Sequence, residues 1–519
     1  MRGVELSRRY DIAIAGSGFG GSLTAMILRR MGLSVVLLER NRHPRFAIGE
    51  SSTPLANLIL ERLCRQYDLE RLTPLCKWGS WQATYPHLAC GLKRGFSFFH
   101  HSLGSPAHDP ADRERHLLVA ASPHDRIGDT HWYRGSFDHF LAQEAVSLGA
   151  DLYEDFALST LQLTDSGVAI GGNCNGEQRN VEAGFIIDAT GPRGFLHQAL
   201  QLEEMAPVGM PSTQALYSHF RGVERLPLAG DALPYPVEDA AVHHVFEGGW
   251  IWVLHFNNGI TSAGVAASAA IAERLKLSDG EAAWKRMLNE LLGVKAQFTS
   301  ASPVERFVHM PRVGFRSSRM VGSRWAMLPS AAGFVDPLLS TGFPLTLLGI
   351  ERLTGIIRQE WGTSHFDEAL HNYAAETGEE FTAASQLIGA LYRSMGNLRL
   401  FAAISFLYFA AVSYAETACR MQNPSLSSSF LLHADADFAT ACKRLFEELH
   451  HAVNLADEER LIGEAMKLIE PINLGGFGNS QRQNWYPVDA EDLLQNAHKL
   501  HASEPEVAAM LERSGFWET

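Results

Sequence analysis

The stretch YDIAIAGSGFGG at residues 10–21 decides the fold of this chain. It continues as SLTAMILRRM at residues 22–31 and as SVVLLE at residues 34–39. Short apolar runs on either side of a glycine-rich turn predict two buried strands, and the longer segment between them predicts a helix. Together the three parts are typical of a βαβ unit whose second strand ends in the carboxylate of Glu39.

The glycines of this stretch have the spacing of a dinucleotide-binding turn. Gly16 permits the tight turn, Gly18 lets the backbone approach a pyrophosphate, and Gly21 lets the helix pack closely on the strand. The helix then presents unpaired N–H groups to the phosphates. Glu39 follows the turn by roughly 20 residues, as expected of an acid that binds the ribose. We interpret the stretch as a dinucleotide fingerprint; the alternative is a glycine-rich turn that binds no ligand.

Composition indicates a large globular protein. The chain has 519 residues, of which 46% are hydrophobic, and a length of about 150 residues per domain predicts two to four domains. The net charge of −14 disfavours nucleic acid and anionic membranes as partners. The six cysteines have no CxxC spacing, which predicts neither a zinc site nor a disulfide framework.

The location of the protein is predicted from its apolar segments. The first strand begins at Tyr10, which leaves no room for a signal peptide. The most apolar run, residues 400–415, is shorter than the ~20 residues of a spanning helix and contains polar side chains. We therefore expect a buried helix there, no integral membrane segment and a cytoplasmic protein.

Further along the chain, several local patterns can be assigned. Residues 55–66 follow a capping segment and predict a helix. Phe96 and Phe98 alternate as on a strand, so Lys93 is expected at the beginning of that strand. The segment 132–134 is expected to open a helix. Asn257-Asn258-Gly259 lies between two alternating runs and predicts a hairpin.

Four motifs in order resemble those of group A flavoprotein monooxygenases and of their relatives, the flavin-dependent halogenases. They are the glycine turn with Glu39, Gly49-Glu50-Ser51, Asp188-Ala189-Thr190-Gly191, and Ala332-Gly333-Phe334-Val335-Asp336-Pro337. The resemblance covers about residues 8 to 360. It implies a mixed α/β fold in which a Rossmann-like FAD domain carries an inserted sheet domain for the substrate, with a helical C-terminal region. The expected segments are 1–80, 120–200 and 305–360 for the FAD domain, 81–119 and 201–304 for the substrate domain, and 361–519 for the helical region.

The resemblance also implies which residues bind FAD. They are Gly16, Ser17, Gly18, Phe19, Gly20, Gly21, Glu39, Arg40, Arg45, Glu50, Ser51, Arg134, Asp188, Gly191, Asp336, Pro337, Ser340, Thr341 and Gly342. One departure is that Pro329-Ser330 stands where the family has Gly-Asp, the acid that holds the ribityl chain. Because the chain has no second strand-flanked glycine fingerprint, NAD(P)H is expected to dock transiently, or a separate flavin reductase supplies reduced flavin.

Candidate catalytic and substrate-binding residues follow from two halogenase signatures. Lys93 begins a segment similar to Lys-x-Gly-x-x-Phe, whose lysine is held to engage hypohalous acid, and Phe98 ends it. Trp250 and Trp252 resemble Trp-x-Trp-x-Ile-Pro, but Leu254 and His255 replace the last two residues. We assign Lys93 and His255 as catalytic candidates, and Phe98, Trp250 and Trp252 as substrate-binding candidates.

Other interpretations of the same residues remain open. Trp250 and Trp252 at period two also describe an ordinary sheet core, and Lys93 also fits an exposed lysine near a strand end. Neighbouring histidines such as His243-His244 point to opposite faces of a strand and do not readily share a metal. We therefore assign no metal site.

The first functional hypothesis is an FAD-dependent monooxygenase that hydroxylates an electron-rich aromatic substrate through a C4a-hydroperoxyflavin. The substrate would be a small molecule or a tryptophan or indole within a peptide, because the chain also resembles the monooxygenases that mature tryptophylquinone cofactors. The alternatives are a halogenase that uses reduced FAD, dioxygen and halide, and an FAD oxidoreductase similar to geranylgeranyl reductases or a redox-inactive FAD-binding protein. The missing Ile-Pro end of the tryptophan signature favours hydroxylation.

Overall fold

The structure is a computed structural model that describes residues 9–107, 109, 111–226, 233–423, 425–451 and 454–517. In chain order its strands are β1 (Arg9–Ala15), β2 (Val35–Leu38), β3 (Cys90–Lys93), β4 (Gly95–His100), β5 (His116–Ala120), β6 (Asp129–Trp132), β7 (Asp151–Tyr153), β8 (Phe156–Thr164), β9 (Gly167–Cys174), β10 (Glu177–Asp188), β11 (Glu204–Met205), β12 (Thr213–Arg221), β13 (Ala241–Phe246), β14 (Gly249–His255), β15 (Ile260–Ser268), β16 (Ser302–Pro303), β17 (Val308–Met310), β18 (Phe315–Ser317), β19 (Val321–Gly322), β20 (Trp325–Met327), β21 (Gly333–Phe334) and β22 (Trp485–Tyr486).

The helices follow the same order. They are α1 (Phe19–Arg30), α2 (Pro54–Gln66), α3 (Trp78–Thr84), α4 (Arg134–Ser147), α5 (Phe195–Ala199), α6 (Ala269–Leu275), α7 (Glu281–Glu290), α8 (Leu292–Gln297), α9 (Pro329–Ala332), α10 (Gly342–Glu360), α11 (Phe366–Ser394), α12 (Leu398–Met421), α13 (Ala436–Leu449), α14 (Leu455–Ile469), α15 (Ala490–Gln495) and α16 (Glu504–Arg513).

The first sheet has the strand order β19-β20-β10-β1-β2-β7, and β9 and β8 extend from β10. The neighbours β20, β10, β1, β2 and β7 are parallel, so their carboxyl ends meet along one edge. Residues 12–15 of β1 are fully buried, as expected of a strand covered on both faces by helices. This sheet with α1 confirms the predicted strand, turn, helix and strand of residues 10–39.

The second sheet is mostly antiparallel, with the order β16-β12-β15-β14-β13-β4-β5-β22, and β17 pairs with β12. The predicted hairpin at Asn257-Asn258-Gly259 is confirmed, since it joins β14 to β15. Two smaller sheets are the ribbon β3-β6 and the set β11-β18-β21. The mixture of parallel and antiparallel sheets with helices agrees with the expected α/β fold.

The chain beyond residue 341 is largely helical. Helix α10 packs against α1, α2 and α11, and α12 packs against α11 and α14. In the described part of the chain α12 alone is long and apolar enough, by length and composition, to cross a membrane, and 83% of its most apolar window is buried inside the fold. The prediction of a buried helix for residues 400–415 is therefore confirmed, although the helix has 24 residues and is longer than the apolar run suggested.

Two local predictions need correction. Lys93 does not begin the strand of Phe96 and Phe98: it ends β3, and β4 starts two residues later. Gly95 permits this break, because a Cβ there would lie 2.2 Å from the carbonyl oxygen of Val119 on the neighbouring strand. Likewise Trp132 ends β6 and α4 starts only at Arg134.

Candidate functional site

The glycine turn lies at the carboxyl end of β1 and leads into α1. A Cβ at Gly21 would lie 2.0 Å from the Gly16 carbonyl oxygen, and one at Gly16 would lie 2.8 Å from the Ala189 carbonyl oxygen. Gly16 also has a φ of +90°, which favours glycine. The backbone alone therefore packs the turn against the loop after β10, and the first-turn N–H groups of α1 face outward from the sheet edge.

Two arginines border Gly18. A Cβ at Gly18 would lie 3.3 Å from Arg45 Nη2 and 3.5 Å from Arg134 Nη2. Arg134 donates to both carboxylate oxygens of Asp138, at 2.7 and 2.8 Å, and to the carbonyl oxygens of Ile48 and Gly49. Its guanidinium is thus held in one orientation, and positive charge lies beside the turn where a pyrophosphate would approach.

Glu39 ends β2 next to the same turn. Its Oε2 accepts hydrogen bonds from the backbone N–H and the hydroxyl of Ser17, at 3.0 and 3.2 Å, and lies 3.4 Å from Arg45 Nη2. Burial raises the pKa of Glu39, but Arg45 and the donated hydrogen bonds outweigh this effect and leave the pKa below its usual range. The carboxylate is therefore ionised at neutral pH and suited to accept from ribose hydroxyls.

The other motif acids are engaged within the protein. Asp188 is fully buried and accepts from Thr190 and from the backbone N–H of Leu196, so it shapes the turn that contains Gly191. Glu50 is buried and its Oε1 lies 2.8 Å from His219 Nε2. In contrast, the Ser51 hydroxyl and the Arg45 Nε are buried without a hydrogen-bond partner among the described residues.

These features fit FAD. The Ser51 hydroxyl and the Arg45 Nε need partners that the described protein does not supply, and both belong to segments around the glycine turn. A nucleotide in the cleft would supply oxygen atoms to Arg45 and to the helix N-terminus. Arg40, by contrast, is exposed beyond the end of β2, and its assignment to FAD stays a prediction, as do the other residue assignments.

A strained loop leads to α10. Leu339 and Ser340 have φ values of +60° and +56°, which are costly for residues other than glycine. Asp336 Oδ1 accepts from the Leu338 N–H at 3.0 Å, and the Tyr408 hydroxyl donates to the Leu339 carbonyl oxygen at 2.8 Å. These bonds hold the loop at the N-terminus of α10, where Thr341 and Gly342 lie.

The same loop is tied to the tryptophan signature. Asp336 is 1% exposed, and its Oδ2 accepts from the Tyr392 hydroxyl at 2.9 Å. Tyr392 in turn accepts from Trp250 Nε1 at 3.2 Å. Burial raises the pKa of Asp336 to about 7. Pro329, at the departure from the family's Gly-Asp, packs against Gly349 and offers no carboxylate.

Lys93 is the most buried cation of the site. It is 0% exposed, and its Nζ donates to the Ser52 carbonyl oxygen at 2.5 Å. Its Nζ also lies 4.0 Å from the centre of the Phe96 ring. The interpretation of an exposed lysine is therefore wrong. Because Ser52 follows the Gly49-Glu50-Ser51 segment, Lys93 links that segment to the sheet that carries Phe96.

Asp129 lies directly opposite Lys93 in the β3-β6 ladder. Burial lowers the pKa of Lys93 to about 7 and raises that of Asp129 to about 7, while the attraction between the two charges opposes both shifts. Asn57 Nδ2 donates to Asp129 Oδ1 at 2.7 Å. A lysine with a near-neutral pKa is available as ammonium or as amine close to neutral pH.

A cavity of about 200 Å³ lies beside this pair. Phe96, Tyr408 and Phe409 form aromatic walls, and Asp129 and Asn57 contribute polar atoms. Tyr408 and Phe409 come from α12, so the helical region closes the cavity. A partly open, mainly apolar cavity with a few polar groups is typical of a site for a small aromatic molecule.

The remaining substrate candidates, Phe98, Trp250 and Trp252, do not belong to the described wall of this cavity. Phe98 is 0% exposed and stacks on His243 at 4.7 Å, and Trp250 and Trp252 are buried in the same core cluster. His243 and His244 belong to opposite faces of β13: His243 stacks on Trp250, while His244 bonds to Gln297. The predicted opposite orientation of paired histidines is confirmed.

His255 ends β14 in the second sheet, whereas Lys93 ends β3 in the β3-β6 ribbon. Its Nδ1 bonds to the Thr261 hydroxyl at 2.9 Å, and its Nε2 lies 3.3 Å from Glu238 Oε2. His255 does not belong to the described wall of the cavity, and its catalytic assignment stays a prediction.

Sequence reasoning missed several residues of the site. Asp129, Asp138 and Tyr392 belong to no motif. Asp129 pairs with Lys93 across two strands, and Asp138 contacts Arg134 one helical turn away. Tyr392 bonds to Trp250, which is about 140 residues distant in the chain. The closest signal in the sequence is the polar Asp129-Thr130-His131 segment just before Arg134.

Comparisons with known proteins agree with this geometry. Residues 130–397, just over half of the chain, match the family model described as tryptophan halogenase. The monodechloroaminopyrrolnitrin halogenase of Pseudomonas fluorescens is 27% identical over 413 residues, which cover 78% of this chain and 71% of that protein. The tetracycline 7-halogenase of Kitasatospora aureofaciens is 29% identical over 354 residues, or 65% of this chain and 61% of that protein.

A solved structure resembles the whole fold. The crystal structure of halogenase PltM in complex with phloroglucinol and FAD has a TM-score of 0.79 and 23% identity, and the match covers 91% of this chain and 99% of that chain. The expected architecture of a Rossmann-like FAD fold with added sheets and helices is therefore confirmed.

Proposed function

Because the chain belongs to the tryptophan halogenase family, and is thus an FAD-dependent oxidoreductase, we propose that it halogenates an electron-rich aromatic substrate with dioxygen and halide. Bound FAD, in its reduced form, supplies the electrons that activate dioxygen. The net step at the substrate exchanges one ring hydrogen for halogen: the aromatic C–H and hypohalous acid give the aryl halide and water.

The position of Lys93 between the Gly49-Glu50-Ser51 segment and Phe96 carries this proposal; Lys93 itself is 0% exposed and lies behind the described wall of the cavity rather than in it. Its Nζ bonds to the Ser52 carbonyl oxygen and lies 4.0 Å from the Phe96 ring centre, and Phe96 lines the cavity. An ammonium at this position donates a hydrogen bond to hypohalous acid and holds it beside the ring. The surrounding side chains exclude water, which strengthens that hydrogen bond.

Two further features support the proposal. The N-terminus of α10, at Thr341 and Gly342, directs backbone N–H groups to one place, as a halide site requires. The aromatic walls of the cavity match a planar substrate, and its volume of about 200 Å³ suits one or two rings. We propose an aromatic small molecule as substrate, and NAD(P)H or a separate flavin reductase as the source of electrons.

Hydroxylation remains a second candidate because Leu254 and His255 replace the Ile-Pro end of the tryptophan signature. The named relatives are halogenases, which favours the halogenase alternative over the hydroxylase that the sequence analysis put first. Both reactions use the same cofactor, so the products distinguish them. The reductase-like alternative would add two hydrogens to its substrate.

The test is the mass of the products formed by the FAD-loaded protein. Phenols, indoles and pyrroles are incubated with a flavin-reducing system and air, with chloride, with bromide or without halide. We expect products with the isotope pattern of chlorine or bromine that disappear when halide is withheld. Products that gain oxygen regardless of halide would identify a hydroxylase instead.

A matched pair of lysine variants tests the role of Lys93. Lys93→Met retains length and burial but removes the ammonium, and we expect FAD binding to persist while halogenation falls by about 10²–10³-fold. Lys285→Met is the control, because the Lys285 side chain is 70% exposed and pairs with Glu281 on the surface of α7. Equal turnover of the two variants would remove Lys93 from the reaction.

A further inference from the structure

Two acceptor atoms in the cavity wall lack donors. Asp129 Oδ2 and Asn57 Oδ1 are buried and have no hydrogen-bond partner among the described residues. Both residues line the cavity, and they are 4% and 6% exposed. A buried acceptor without a donor costs about 1–3 kcal/mol, and more when it is charged. Within the described residues, these two atoms therefore lack N–H or O–H donors.

Two hydrogen bonds fix the orientation of the Asn57 amide. Asn57 Nδ2 donates to Asp129 Oδ1 at 2.7 Å and to the Ser52 hydroxyl at 3.1 Å. Rotating the amide by 180° would turn its oxygen toward the carboxylate and lose both bonds. The unpaired atoms are thus both acceptors, and only a hydrogen-bond donor satisfies them.

The other charged groups of the cavity wall already have partners. Glu416 and Arg420 pair with each other at 2.7 Å on α12, and Lys77 donates to the Ser514 carbonyl oxygen. Glu61 is half-buried and lies 3.4 Å from Arg65. Asp129 accepts from Asn57 through Oδ1 and faces Lys93 across the ladder, and its Oδ2 is the buried carboxylate oxygen of the described wall that has no hydrogen-bond donor.

We propose that Asp129 and Asn57 recognise the polar substituent of the substrate, so that the enzyme selects aromatic rings that carry an O–H or N–H group. This inference rests on the proposed function, since it assigns the cavity to the aromatic substrate. A ring bound against Phe96 with its donor on Asp129 lies on the side of the cavity next to Lys93. Hydroxyl and amino groups also make rings electron-rich, so the same contact selects substrates that react with an electrophilic halogen.

The experiment compares aromatic molecules with and without the donor, in pairs where methyl groups replace the donor hydrogens. Dissociation constants of the FAD-loaded protein are measured by calorimetry for resorcinol against 1,3-dimethoxybenzene, and for indole against 1-methylindole. Because a hydrogen bond to a charged group is involved, we expect the donor-bearing member of each pair to bind roughly 10- to 100-fold more tightly. In Asp129→Asn, which has the same shape but no charge, this preference should fall to about 3-fold or less.

Asp125→Asn is the matched control. Asp125 is only four residues from Asp129, but its side chain is 59% exposed and pairs with Arg94, so the donor preference should be unchanged. If Asp129→Asn does not retain FAD, Asn57→Leu replaces it, because this variant keeps the size of the side chain and removes the second acceptor; the donor preference should fall there too, and an unchanged preference would overturn the inference.

The outcomes separate the inference from the proposed function. Equal binding of both members of each pair would overturn the role of Asp129 and Asn57, because water alone would then satisfy them, and would leave halogenation untouched. Failure of the FAD-loaded protein to bind any of the four molecules would contradict both. A preference that survives in Asp129→Asn would assign the selection to another part of the wall.

Discussion

Replacing Tyr392 by Phe should destabilise the protein through one buried hydroxyl. In the native structure this hydroxyl donates to Asp336 Oδ2 at 2.9 Å and accepts from Trp250 Nε1 at 3.2 Å. The first bond is made to a carboxyl group that is 1% exposed, and such bonds contribute about 1.5–3 kcal/mol. The unpaired Trp250 N–H adds about 1–3 kcal/mol. We expect Tyr392→Phe to lower the free energy of unfolding by about 2.5–6 kcal/mol.

The control is Tyr373→Phe, which also removes one buried hydroxyl. Tyr373 is 1% exposed and donates to the neutral Met327 carbonyl oxygen at 2.7 Å, so its loss leaves one neutral acceptor unpaired and should cost about 1–3 kcal/mol. The assay is urea unfolding of the FAD-loaded protein, followed by tryptophan fluorescence. The affinity for FAD should also weaken in Tyr392→Phe, because Asp336 anchors the strained loop at Leu339.

The pH dependence sharpens this prediction. Burial raises the pKa of Asp336 to about 7, so the group is neutral at pH 5 and ionised at pH 8. The hydrogen bond from Tyr392 favours the ionised form. The cost of Tyr392→Phe should therefore be larger at pH 8 than at pH 5. If Tyr392→Phe is no more destabilised than Tyr373→Phe at either pH, the carboxylate does not depend on Tyr392 and the reasoning is wrong.

Two other predictions concern the glycine turn and the buried lysine. Gly21→Ala should abolish FAD binding or unfold the first sheet, because its Cβ would lie 2.0 Å from the Gly16 carbonyl oxygen; Gly355→Ala, with no heavy atom within 4 Å of its Cβ, should bind FAD normally. Flavin-loaded Gly21→Ala with native stability would contradict the close packing. Burial lowers the pKa of Lys93 from 10.5 to about 7, so this group adds stability as the pH rises from about 7 toward 10.5, and the stability is lost as the pH falls through 7. Unfolding free energies should therefore increase with pH more in the unaltered protein than in Lys93→Met, and parallel pH curves would contradict a depressed pKa.

The sequence by itself determined the dinucleotide-binding half of the protein. The turn at Gly16, Gly18 and Gly21, the flanking strands and Glu39 are adjacent along the chain, so short-range steric rules predict their geometry. The same holds for the hairpin at Asn257-Asn258-Gly259 and for the buried helix of residues 400–415. Local sequence patterns are sufficient to predict structure where the interacting residues are close in the chain.

Only the tertiary structure decided the substrate side of the site. Lys93 belongs to a sequence motif, but its burial follows from the pairing of β3 with β6 and from the hydrogen bond to Ser52, which is 41 residues away in the chain. Asp129 belongs to no motif. It enters the site because that strand pairing places it opposite Lys93, in the wall of a cavity that α12 also lines. Such contacts between distant segments leave no periodic signal in the sequence. Burial then changes the chemistry, since removing water shifts the pKa of both groups toward neutrality.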